Sequence, residues 1–207
     1  MKVLKFGGTS VANSESIKKV ISILKVNNSN LLVVVSALGG ITNILQECIS
    51  SKGKLRANLL REIEDRHLEI IHALCNKNTE ISLKKFLKDK IKKIEVLSEI
   101  LSKNGSSNKN LISEILTFGE ILSSRIIFDI LKQDSFDVSY IDSKDVIYTK
   151  RFNNNDVLDD SKSLKKIKNK ISLIKSKLII APGYICSNQK NEISNLGRGG
   201  SDYSAAI

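Results

Sequence analysis

The sequence predicts an α/β protein with three layers, helices packed on both faces of a central and mostly parallel sheet. Three observations carry this. Apolar runs of strand length recur at residues 3–6, 31–35 and 178–181, and the second and third are continuous, as in strands buried on both faces of a parallel sheet. Longer stretches with apolar residues at helical spacing separate them, an alternation that implies a parallel-rich sheet between helical layers. Glycine pairs follow two of the runs, Gly7-Gly8 and Gly39-Gly40, and in open α/β sheets ligands collect outside the carboxyl ends of strands.

In chain order, Val3, Leu4 and Phe6 read as a short buried strand broken by Gly7-Gly8. An amphipathic helix spans about 14–25, and residues 27–30 form a loop. The valine-rich run 31–35 ends at Ser36-Ala37-Leu38-Gly39-Gly40, after which Thr42 or Asn43 is expected to cap a helix reaching about Ile49. Two long helices come next. The first carries Leu59, Leu60, Ile63, Ile70, Ile71 and Leu74. The second carries a stripe from Leu83 to Leu101, with Lys84, Lys85, Lys88, Lys92 and Lys93 on its opposite, solvated side. They read as a helical insertion or cover around 55–103. His67 and His72 lie five apart, off a common helix face, which argues against a two-histidine metal site.

A polar turn at 104–108 leads to a helix over about 111–132 that holds Thr117-Phe118-Gly119-Glu120. Glycine inside a helix costs roughly 1 kcal/mol relative to alanine, so it often marks close packing or ligand approach; Glu120 beside it is read as functional. Residues 138–142 alternate as a strand, 146–149 form a short strand or loop, and 153–155 a loop. A basic helix covers 161–175. The buried strand 178–181 ends at Pro182, and a hairpin over 186–196 delivers the chain to Gly197.

The chain has 207 residues, enough for one well-cored domain. Hydrophobic residues at 41% and charged residues at 27% fit a globular protein. No apolar run approaches membrane-spanning length, and no signal peptide is expected, since Met1-Lys2 leads at once into a strand. Three cysteines without metal-ligand spacing point to reduced thiols and a cytoplasmic location. The net charge of +11, from 33 Lys+Arg against 22 Asp+Glu, is nearly all lysine on helix faces with few aromatics between. It reads as a solvated surface rather than a nucleic-acid site, and it favours acidic small molecules.

The chemistry concentrates in two turns. Lys5-Phe6-Gly7-Gly8-Thr9-Ser10 joins a strand to a helical start, where glycine backbone and free N–H groups suit an anion and Lys5 adds a charge. Leu196-Gly197-Arg198-Gly199-Gly200-Ser201-Asp202 likewise leads into a helical run. Neither G-x-x-x-x-G-K-[ST] nor G-x-G-x-x-G is present, and two scattered histidines make no nucleophilic triad. Phosphoryl transfer can run on such a set, because it needs chiefly positioning and charge neutralisation.

These two motifs, with Val33-Val34-Val35-Ser36-Ala37 and Phe118-Gly119-Glu120 between them in the same order, resemble the amino-terminal kinase part of the aspartokinases, in the amino-acid kinase superfamily. Residues 33–43 and Asp65-Arg66-His67 resemble the fused aspartokinase–homoserine dehydrogenases in particular. The resemblance implies the amino-acid kinase fold, with its carboxy-terminal half, and the adenine and ribose contacts expected there, missing from these residues. It also implies transfer of a phosphoryl group from ATP to the side-chain carboxylate of L-aspartate, with Mg2+, the entry to lysine, threonine and methionine synthesis. Lys5 would hold the transferring group, with Gly7, Gly8 and Ser36 at the phosphates. Thr42, Glu120, Arg198 and Ser201 would hold aspartate, Glu120 at its α-amino group and Arg198 at a carboxylate. Asp202 would orient Lys5 or a magnesium ion. The family implies a homo-oligomer at full length and no protein metal cage, nucleic acid or membrane. Asn195 and Tyr184 depart from the family's more usual threonine and phenylalanine. Two other readings stay open: another acidic-substrate kinase of the superfamily, and a non-catalytic aspartate-binding remnant.

Overall fold

The computed structural model describes residues 1–27, 29–104, 108–152 and 155–207. The expected loops at 27–30 and 153–155 and the turn at 104–108 fall wholly or partly outside them. The chain begins with β1 (Lys2–Phe6), a 3₁₀ turn (Gly8–Val11), α1 (Ser14–Lys25), β2 (Leu31–Val35) and α2 (Ile41–Ser50). Three long helices follow: α3 (Gly53–Leu74), α4 (Lys77–Asn104) and α5 (Lys109–Gln133). The remainder runs β3 (Val138–Tyr140), β4 (Thr149–Phe152), β5 (Asn155–Leu158), α6 (Asp160–Ser172), β6 (Leu178–Pro182), β7 (Ile185–Ser187), β8 (Ile193–Asn195) and α7 (Gly200–Ala206).

The central sheet is four-stranded in the order β1-β2-β6-β3, with every pairing parallel. Side chains alternate across a strand, and the two faces meet different layers. Val33, Val35, Leu178 and Ile180 join the large core built with α1 to α5. Ile179 and Ala181 face the other way, with Leu32 at its margin, into a smaller core that includes Ile167 and Ile171 of α6. This is the expected α/β architecture with helices on both faces. No helix among the described residues is long and apolar enough to cross a membrane.

Three local expectations change. β1 is not buried: it lies at the sheet edge, Val3 is 45% exposed, and Leu4 and Phe6 are half-buried. Neither Thr42 nor Asn43 caps α2; Gly40 does, at φ +86°, a left-handed conformation that suits glycine and strains a β-branched residue. The strand expected over 138–142 stops at Tyr140, because Asp142 turns to cap the 3₁₀ turn Ser143–Asp145 by accepting from the Lys144 N–H at 3.2 Å. The stretch 146–149, expected as a short strand or loop, divides between the two: Val146 and Ile147 enter the smaller core outside any strand, and Thr149 opens β4, which pairs antiparallel with β5.

Gly119 explains itself by packing. A Cβ added there would lie 2.6 Å from the Ala37 Cβ, so α5 rests directly on the turn after β2. Gly119→Ala is therefore expected to destabilise the chain by roughly 1–3 kcal/mol, the usual range for overpacking, even though alanine is the better helix former. Equilibrium urea unfolding measures this, and an unchanged or raised midpoint would contradict the contact.

Candidate active site

Parallel register brings the strand ends to one level. Phe6, Val35 and Pro182 are partners across β1, β2 and β6. The next residues continue the ladder: the Ser36 N–H donates to the Phe6 carbonyl at 3.1 Å, and the Gly183 N–H to the Val35 carbonyl at 2.8 Å. The two glycine turns then touch backbone to backbone. Gly39 N–H donates to the Gly8 carbonyl at 3.0 Å, and a Cβ on Gly8 would stand 3.1 Å from the Ala37 carbonyl oxygen. Side chains at these glycines would force the turns apart.

An open cavity of about 530 Å3 lies over these strand ends. Lys5, Gly8, Ser36, Thr42, Glu120, Arg198, Ser201 and Asp202 all line it. Gly7 does not, but it lies beneath the Lys5 ammonium, since a Cβ on Gly7 would be 3.5 Å from Nζ. Lys5 Nζ pairs with Asp202 Oδ1 at 2.8 Å. Their side chains are 26% and 71% exposed, so solvent screens the pair and it contributes little to stability. Its significance is placement: it holds a compact cation beside Gly7 and Gly8. Lys5 lies on the opposite face of β1 from Leu4 and Phe6, toward α7, whereas Glu120 arrives from α5 in the other layer. The cavity thus straddles the sheet edge.

The 197–202 turn is docked by tight contacts. Gly197 and Gly199 take φ +76° and +75°. Gly183 leaves room for Ser201, whose Cβ and Oγ would each lie 2.6 Å from an added Cβ. Tyr184 is a lining residue the sequence reading noted only as a departure from the family. It is held at φ +67°, donates its N–H to Ser204 Oγ at 3.0 Å, and accepts from the Leu196 N–H at 2.9 Å. Burial and the nearby Glu120 raise its phenol above the ordinary tyrosine range. Arg66 was also missed as a site neighbour, since α3 and α4 read as cover. Its Nη2 donates to the Gly39 carbonyl at 2.6 Å. No local signal predicts a bond between residues 27 apart.

Glu120 is the electrostatic anomaly. It is 5% exposed, and Oε2 has no hydrogen-bond partner. Burial raises its carboxyl to about 7, opposed by the Ala37 N–H and its own. Serines fix the helix around it: Ser124 Oγ donates to the Glu120 carbonyl at 2.6 Å, and Ser123 Oγ to the Ser36 carbonyl at 2.7 Å. Without a partner the buried carboxyl holds its proton, and a cationic donor entering the cavity would favour its ionised form. His67, by contrast, is fully buried in the helical layer with Nδ1 at 2.6 Å from the Ile63 carbonyl, and burial lowers it to about 4. His72 faces Glu80 at 3.0 Å instead.

These two shifts act oppositely on stability. Between pH 4.5 and about 7 the folded chain keeps a proton on Glu120 that the unfolded chain has lost, so this group's stabilisation fades as pH rises. Between about 4 and 6.5 the unfolded chain holds a proton on His67 that the folded chain lacks, so stability grows as pH rises. They nearly cancel where the windows overlap. Glu120→Gln should unmask the histidine: relative to the parent chain, its unfolding free energy should climb by on the order of 2 kcal/mol across that overlap. Urea midpoints at both ends of the window measure it, and parallel profiles would contradict the buried ionisation of Glu120.

The profile of the amino acid kinase family matches residues 1–207. The bifunctional aspartokinase/homoserine dehydrogenase of Buchnera aphidicola is 33% identical over 219 residues, which cover 100% of this chain and 26% of that protein. Chlamydia trachomatis aspartokinase is 31% identical over 215 residues, 99% of this chain and 44% of that protein. Among solved structures, Escherichia coli aspartokinase III in complex with aspartate and ADP superposes with a TM-score of 0.89 at 27% identity, over 100% of this chain and 45% of that one. The chain therefore spans less than half the length of these relatives. Their matches run through both glycine turns and the strands that carry them, and the chain belongs to the amino acid kinase family.

Proposed function

We propose that this chain is the amino-acid-binding part of an aspartate kinase, and that its cavity brings L-aspartate to the terminal phosphate of ATP. The observation that carries the reading is Glu120: a buried carboxylate with one oxygen unpartnered, in a cavity it shares with Arg198. An amino acid supplies the ammonium that Glu120 lacks and a carboxylate for the Arg198 fork. The similarity to aspartokinase III solved with aspartate and ADP supports aspartate as that amino acid.

The reaction joins an oxygen of the aspartate side-chain carboxylate to the γ-phosphorus. The bond from that phosphorus to the β,γ-bridging oxygen breaks, and its electron pair leaves on ADP. The attacking carboxylate is already ionised near neutrality, so no general base is required. What the protein must supply is alignment and positive charge. Lys5, held by Asp202 over Gly7, meets the charge that develops as the phosphoryl group moves. Gly8 and Ser36 line the same wall. Magnesium would enter with the nucleotide and neutralise phosphate charge. Among the described residues no cluster of three metal-binding groups exists. A magnesium ion held mainly by phosphates and water needs only one or two carboxylates, which fits Asp202, 71% exposed at the cavity.

Two measurements test this. L-aspartate should bind with release of most of one proton near pH 6.5, because its ammonium ionises Glu120, whose free carboxyl titrates at about 7. Calorimetry in buffers of different ionisation enthalpy reads this release. Glu120→Gln should abolish it and weaken binding by roughly 2–5 kcal/mol, as loss of a buried charged partner does. Binding without proton release, or equal affinity for D-aspartate, would count against the assignment. Trapping of the acyl phosphate with hydroxylamine, in the presence of MgATP, reads transfer. Lys5→Met should lower it about 10²–10³-fold. Aspartate binding with no trapped product would leave an amino-acid-binding chain and refute transfer.

A further inference from the structure

We propose that Arg66 is a positioning residue that aims the Gly40 N–H into the cavity as a phosphate donor. This rests on the reading of the cavity as a phosphate-facing site, and adds to it a residue from the helical cover.

The argument begins with one peptide unit. Arg66 Nη2 donates to the Gly39 carbonyl at 2.6 Å. A trans peptide is planar, so its carbonyl and the following N–H point in opposite directions. Fixing the Gly39 oxygen toward α3 therefore fixes the Gly40 N–H away from α3. The described chain contains no cis peptide bond. Gly39 and Gly40 both line the cavity, and the Gly40 N–H donates to no backbone carbonyl among the described residues. Its neighbours are committed: the Gly39 N–H goes to the Gly8 carbonyl, and the Ile41 N–H to the Leu38 carbonyl.

Two further observations fit. Gly40 stands at φ +86°, and a Cβ there would lie 3.4 Å from Arg66 Nη1, so guanidinium and turn are in close register. Arg66 is half-buried and pairs with no carboxylate within 4.0 Å among the described residues. A half-buried guanidinium without an acid is better explained by a task at the turn than by surface ion pairing. Held there, its charge also draws electron density from the peptide and makes the Gly40 N–H a stronger donor to an anion.

The test uses the chain as it is, with inorganic phosphate and L-aspartate as separate probes and the backbone amide resonances as readout. In the parent chain, phosphate should shift the Gly40 amide. Arg66→Gln should weaken phosphate about tenfold, the scale of one charge-assisted hydrogen bond, while L-aspartate affinity changes less than about twofold. Arg66→Lys should restore part of the phosphate affinity, since one ammonium hydrogen can reach the same carbonyl. A merely structural arginine would move both ligands together or neither, and either pattern overturns the proposal. If phosphate fails to bind the parent chain, the phosphate-facing reading falls by itself. The positioning is then judged from the Gly40 amide in the free proteins: an unchanged resonance in Arg66→Gln refutes it.

Discussion

A carboxylate with nothing to neutralise it governs this structure. Glu120 is carried on α5 to the back of the turn after β2, where it is 5% exposed and one of its oxygens meets no donor. Burial of that kind is unfavourable to the free chain, and the carboxyl responds by holding its proton up to about 7. The surroundings enforce the position. Gly119 lets α5 approach Ala37 to a distance no side chain would permit, and Ser123 ties the helix to the Ser36 carbonyl. On the proposed reading, an ammonium-bearing ligand would turn the unfavourable term into binding energy, and stability given up in the free chain would return as selectivity for amino acids.

The rest of the site follows from sheet topology. Parallel pairing puts all the strand carboxyl ends on one edge, and the alternation of side chains sends Lys5 to one face of β1 while Leu4 and Phe6 pack on the other. Lys5 meets Asp202 of α7 in one layer; Glu120 arrives from the opposite layer. Between them, Gly8 and Gly39 bring two backbone turns into contact. On the proposed reading these are a cation for the moving phosphoryl group and an anion for the amino acid, brought to a single cavity that among the described residues is lined by no histidine.

Much of this was legible in the sequence because the responsible physics is local. The runs at 31–35 and 178–181 are apolar on both faces, and they became the two inner strands. Gly119 in a helical pattern announced a close contact, and the two glycine turns announced themselves by composition. What was not legible depended on partners far along the chain. Residues 3–6 look apolar whether they lie inside a sheet or at its edge, and only topology makes β1 an edge. Thr42 has the chemistry of a cap, yet the cap position falls to a left-handed Gly40 one residue before α2, beside the Gly39 that bonds to Gly8. Arg66 lies on a helix whose pattern speaks only of covering, and its bond to Gly39 spans 27 residues.

The account rests on the ionisation of one side chain, and the most direct measurement is the Glu120 carboxyl pKa followed by carbon-13 resonance of the labelled side chain, with and without L-aspartate. The account predicts a value near 7 in the free chain and a fall toward the ordinary carboxylate range when the amino acid binds. A free-chain value already at the ordinary 4.5, or one that L-aspartate leaves unmoved, would contradict it.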